Sequence, residues 1–210
     1  MKTRKNKNFE KELPSGYKQA LYINAKDAKF GIIFNLIGFA IMAVVMAVAF
    51  LPLIASGRLT QGVFDIEPLQ LMISDVVLIL VLLVYIVLHE LVHGVAYKAL
   101  TGEKLTFGIS WSCAFCGVPH IFTYRKTATI AVVAPFAVFS VILIATAAVL
   151  YFVSPLYYLM AALVFGIHLG GCSGDLWVLY LLSVKFKKKT VLMRDTGPEQ
   201  FFYVYEGADN

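Results

Sequence analysis

Apolar residues collect in four long runs, about Phe30–Ala55, Leu69–Leu100, Ala128–Val153 and Pro155–Val184. A helix needs roughly 20 apolar residues to cross a bilayer, so each run predicts one transmembrane helix. The third and fourth runs follow one another without a charge, and Ser154-Pro155 marks the break between them, which leaves a very tight turn. Between the second and third runs the pattern changes. Leu105, Phe107, Ile109 and Trp111 alternate with Thr106, Gly108, Ser110 and Ser112, the two-residue period of a strand. After 113–119 the segment His120–Tyr124 is its expected partner, giving a β-hairpin at the membrane surface. A further short strand is expected at Phe201–Tyr205. The fold class predicted is an all-α polytopic membrane protein: four transmembrane helices with a small cytoplasmic β-hairpin between helices two and three. Three parts follow along the chain: a cytoplasmic N-terminal segment (1–29), a transmembrane domain (30–184, including the loop 101–127) and a cytoplasmic tail (185–210).

Composition supports the membrane class, since 60% of the 210 residues are hydrophobic and only 15% charged. A soluble domain of this size cannot hide that much apolar surface, so lipid must cover part of it. The polar first 29 residues, followed by an apolar run too long for a signal-peptide core, predict no cleavable signal. The net charge of +5 is unevenly placed. Eight of the 18 Lys and Arg residues precede Phe30, three lie in 101–127 and five follow Val184, while Ser56–Pro68 holds only Arg58. This is the asymmetry of membrane topology rather than of nucleic-acid binding. It puts both termini in the cytoplasm, at the cell membrane of a prokaryote.

Ionisable groups inside membrane helices are costly and call for a reason. Here they are Asp75, His89, Glu90, His93, His168 and Asp175. Asp75 lies near the outer end of its helix and reads as structural. His89-Glu90-Leu91-Val92-His93 is an H-E-x-x-H motif. At about 100° per residue, its two histidines lie roughly 40° apart around the helix and 6 Å along it. Both imidazoles can therefore bind one metal ion from the same face. Glu90 lies about 60° from His93, where it can reach a water on the ion without ligating the metal. Zinc lowers the pKa of such a water, and the carboxylate takes its proton.

A catalytic zinc needs a third protein ligand, and Asp175 in Gly170-Gly171-Cys172-Ser173-Gly174-Asp175 is the best candidate. Under the charge rule helices two and four run in the same direction. His89 lies 20 residues after Leu69, and Asp175 lies 20 after Pro155, so both sit about 30 Å below the outer boundary. Gly166, Gly170, Gly171 and Gly174 are expected to let a neighbouring helix approach. His168 and Cys172 share a face with Asp175, and their expected place is the cavity lining or the surroundings of the ligands; for His168 a satisfied interior histidine is an equal reading. Cys113-Ala114-Phe115-Cys116 with His120 offers three ligands for a second, structural metal, one short of a tetrahedral set.

H-E-L-V-H in a membrane helix, followed by a hairpin, two more spans and Ser173-Gly174-Asp175-Leu176, resembles the DUF3267 zincin-peptidase family over roughly Leu78–Tyr205. That family is in turn similar to the site-2-protease type of intramembrane metalloprotease. The resemblance implies zinc held by His89, His93 and Asp175, with Glu90 as general base. The expected function is a zinc-dependent membrane endopeptidase acting on membrane-anchored proteins or peptides. The alternatives are a catalytically silent metal-binding regulatory protein and, third, an ion transporter. The sequence says nothing of oligomeric state.

Overall fold

Each apolar run is helical in the computed structural model, which describes residues 7–59, 66–110 and 114–206. Helix α1 covers Ala28–Ala55, α2 Pro68–Thr101 and α3 Arg125–Val153. Ser154 separates α3 from α4, Pro155–Gly171, with the proline in the first turn, where its missing N–H would be unpaired in any case. Four helices are long and apolar enough to cross a membrane. Their large apolar side chains are widely exposed, for example Phe39, Val141 and Phe152, as expected where lipid is the solvent. The fourth span differs, with half of its most apolar window buried.

That fourth span is not one continuous helix, as its sequence suggested. It breaks at Cys172, whose N–H donates to the carbonyl of His168 at 3.0 Å. Helix α5, Ser173–Tyr180, follows, and then a π-helical turn, Leu181–Lys185. Two glycines and a serine flank the break, and glycine weakens a helix by about 1 kcal/mol relative to alanine.

The all-α expectation also needs correction, because the polar ends of the chain are built into a sheet. Its strands are β1 (Phe9–Glu10), β2 (Tyr17–Asn24), β5 (Phe122–Tyr124), β6 (Val191–Asp195) and β7 (Glu199–Tyr205), in the order β1-β5-β6-β7-β2 and antiparallel throughout. The strand expected at Phe201–Tyr205 is present as part of β7. The hairpin has a different partner from the one expected. Strand β3 (Thr106–Ile109) pairs with β4 (Ala114–Gly117), setting Phe107 opposite Cys116. The segment around Phe122 joins the larger sheet, where Thr123 is buried and donates its hydroxyl to the Met193 carbonyl at 2.9 Å.

The chain forms two compact units. The first takes its described residues from Met1–Ile32, His89–Pro135 and Asp175–Asn210. One face of its sheet (Val191, Met193, Phe202, Val204, Ile23) packs on Ala128 and Val132 of α3 and on Val178, Leu181 and Leu182. A second cluster joins Tyr97 of α2 to Val118, Ile121 and Ala131.

The second unit takes its residues from Ile33–Leu88 and Phe136–Gly174. Here α1 crosses α4 with backbones in contact: a Cβ on Gly170 would stand 2.6 Å from the Gly38 carbonyl oxygen. Gly166 admits Met42 in the same way, whereas a Cβ on Gly171 or Gly174 would meet nothing within 4 Å. Only two of the four glycines therefore serve close packing.

Candidate metal centre

The first unit contains every residue of the H-E-x-x-H motif and also Asp175. Helix α2 places His89 and His93 one turn apart, with ring centroids 5.0 Å from each other. Both are buried, and Asp175, in the first turn of α5, is half-buried beside them. Its carboxylate spans the pair: Oδ2 lies 3.3 Å from His89 Nε2 and Oδ1 lies 3.5 Å from His93 Nε2. The three donor atoms all lie within 4.8 Å of one another.

The donor chemistry fits zinc. Ligands about 2.0–2.2 Å from a tetrahedral zinc stand roughly 3.3–3.6 Å from each other, the separation seen on both sides of the carboxylate. The protonation of His93 fits as well. Its Nδ1 lies 2.8 Å from the Ala131 carbonyl oxygen of α3. A carbonyl only accepts, so Nδ1 carries the hydrogen and donates it. In the neutral ring this leaves the Nε2 lone pair directed at Asp175, the arrangement by which a metal-binding histidine is oriented through its other nitrogen.

Glu90 stands apart from the donor cluster. Strand β3 packs close by, since a Cβ on Gly94 would meet the Phe107 ring at 2.6 Å. The hairpin thus lies against α2 within one turn of Glu90.

Two further residues were not anticipated from the sequence. Tyr97 follows His93 by one helical turn and is buried, and its hydroxyl donates to Asp195 Oδ2 at 2.8 Å. Asp195 ends β6, and its Oδ1 accepts the Gly197 N–H at 2.9 Å. Gly197 takes a positive φ of 99°, which glycine adopts at no steric cost. The available signal was Tyr97 in the register 89, 93, 97, which shares one helix face.

Burial pushes the Asp195 carboxyl up to about 6, although the Gly197 N–H and the Tyr97 hydroxyl both favour its charged form. In an unfolded chain it ionises near 3.8, so between these values the folded state holds more protons than the unfolded one. The stability supplied by Asp195 therefore falls as pH rises from about 4 to 6, by on the order of 2–3 kcal/mol, and is level above. Thermal unfolding of the detergent-solubilised chain in excess chelator should show this loss relative to Asp195→Asn. Parallel pH profiles for the two proteins would refute it.

The remaining candidates are not members of the group formed by His89, His93 and Asp175. In the second unit His168 is fully buried, its Nδ1 2.8 Å from the Tyr85 hydroxyl and 3.6 Å from Cys172 Sγ, and its Nε2 3.1 Å from the Ser140 hydroxyl. Both ring nitrogens thus have polar partners within that unit. Cys113 lies outside the described residues. Cys116 is buried, and burial, with Asp195 and Glu90 nearby, pushes its thiol up to about 12. His120 is exposed, and among the described residues neither it nor Cys116 joins a cluster of three metal donors. Asp75 is exposed on α2.

No curated protein and no solved structure matches the chain. A family model does: DUF3267, described as "Putative zincin peptidase", matches residues 82–190. That stretch is just over half of the chain, and it contains His89, Glu90, His93 and Asp175 together with the hairpin and the α3 carbonyl that orients His93. The chain belongs to the DUF3267 zincin peptidase family.

Proposed function

We propose that this protein is a zinc-dependent membrane endopeptidase that hydrolyses peptide bonds of membrane-anchored or membrane-adjacent protein substrates. The observation that carries the reading is the Asp175 carboxylate spanning the Nε2 atoms of His89 and His93 at 3.3 and 3.5 Å. His89, His93 and Asp175 would hold the ion. Zinc bound there would polarise the scissile carbonyl and make water a competent nucleophile near neutral pH. Glu90 accepts a proton from the attacking water and returns it to the departing amide nitrogen. The Ala131 carbonyl keeps His93 in its metal-binding tautomer throughout.

A peptide must be extended before it can be cut, and β3 offers a place to extend it. Among the described residues β3 pairs only with β4, and Phe107 and Ile109 are exposed on it. A substrate strand added to the free edge of β3 would gain main-chain hydrogen bonds and side-chain contacts with that surface. The Lys and Arg distribution supports a site near the cytoplasmic end of the spans, with both termini in the cytoplasm and the cell membrane of a prokaryote as the location.

The test is a paired measurement on the full chain in detergent. One zinc per chain is expected, with cleavage of membrane-anchored peptides that chelation stops and added zinc restores. Stoichiometric zinc without turnover of any such peptide would favour a metal-binding regulatory protein. A chain that retains no zinc would defeat the reading.

A further inference from the structure

A second feature of the first unit lies away from the metal centre. A cleft of about 650 Å³ opens where the first turn of α3 meets the chain leaving the last span. Lys126 and Lys189 line it with the hydroxyls of Thr129, Ser183 and Thr190, Ile130 supplies an apolar wall, and none of its lining residues is acidic. Both lysines are exposed, and among the described residues neither has an ion-pair partner.

Arg125 lines the same cleft, but both of its Nη groups are already engaged. It donates from Nη1 to the Lys187 carbonyl at 2.9 Å and from Nη2 to the carbonyls of Phe186 and Lys189. This arginine therefore fixes the shape of the cleft and adds a permanent positive charge, leaving Lys126 and Lys189 free to donate to a ligand.

Position decides what the ligand is. Arg125 begins one candidate span and Lys185 ends another, so the cleft lies at the end of the membrane-crossing segments, where headgroups are found. Ile130, one turn further into α3, is exposed among the apolar residues of that span. A ligand with a phosphate at one end and acyl chains at the other matches this sequence of cations, hydroxyls and apolar surface. Basic pockets at helix ends are a recurrent means of holding anionic headgroups.

We propose that this cleft binds the phosphate headgroup of an anionic phospholipid, with Lys126 and Lys189 as its charge partners and Thr129, Ser183 and Thr190 as hydroxyl donors. The site is independent of zinc and of turnover.

The experiment is native mass spectrometry of the full chain in mild detergent with added phosphatidylglycerol or phosphatidylcholine. The wild type should retain phosphatidylglycerol preferentially. Lys126→Gln/Lys189→Gln should lower that retention roughly tenfold or more. Lys187→Gln/Lys188→Gln, which removes the same charge outside the cleft, should leave it nearly unchanged. Equal losses in the two double variants would overturn the site in favour of diffuse attraction, as would equal retention of the two lipids by the wild type. Displacement of the lipid by millimolar inorganic phosphate would overturn the lipid assignment and make free phosphate the occupant. All the substituted lysines are exposed, so loss of folding is not expected, and matched thermal unfolding of the two double variants checks this.

Discussion

Glu90→Gln should leave zinc at one ion per chain and lower peptide cleavage by about 10²–10⁴-fold. The side chain keeps its size, and its amide oxygen remains a hydrogen-bond acceptor. His89, His93 and Asp175 are untouched, and Glu90 is not a member of their donor cluster. What the amide cannot do is accept a proton from water and return it to the leaving nitrogen. The measurement is zinc content and the rate of cleavage on the same preparation. Zinc retained with activity lost assigns Glu90 to proton transfer. A variant that keeps more than about a tenth of wild-type activity would show that another group is the base, since a positioned acid–base residue usually contributes 10²–10⁴-fold. Zinc lost together with activity would show instead that Glu90 helps to hold the ion, contrary to the geometry.

Much of the centre could be read in the sequence, because its key spacing is local. His89, Glu90 and His93 lie within one turn of one helix, so helical geometry alone brings the two imidazoles together. Asp175 came from a depth argument between two spans of like direction. Its true setting, in the first turn of α5 just after the break at Cys172, could not be read from hydrophobicity, because Gly170-Gly171-Cys172-Ser173 is as compatible with a continuous membrane helix as with a turn.

The sheet was hidden for another reason. Strand partners at long sequence separation leave no local pattern: β5 takes Phe9–Glu10 and β6 as neighbours, while the hairpin closes on the nearer β4. Strand β2 has exposed polar positions along a polar terminus, so its period carries little contrast. The Tyr97–Asp195 contact joins residues 98 positions apart and depends on that unseen sheet.

Asp175→Ala should weaken zinc binding by more than about hundredfold, since loss of groups that merely orient metal ligands already costs 10–100-fold. The reasoning starts at His93. Its Nδ1 hydrogen is committed to the Ala131 carbonyl, so a neutral ring presents a lone pair to Asp175 Oδ1 at 3.5 Å. A lone pair facing a carboxylate oxygen is repulsive unless a cation lies between them. That cation is either a metal ion or a proton on Nε2, and the variant distinguishes the two. If the group is an ordinary imidazolium–carboxylate pair, removing Asp175 lowers thermal stability and leaves zinc affinity, measured by competition with a chromophoric chelator, unaltered. If the carboxylate is a ligand, the two imidazoles that remain compete poorly for zinc, the ion is lost to the chelator, and cleavage stops with it. Asp175→Glu is a useful companion, because it keeps the charge but displaces the oxygens by one methylene. Partial recovery of zinc affinity there, with activity still low, is the result expected of a centre in which His89 and His93 lie only 3.3 and 3.5 Å from the carboxylate oxygens.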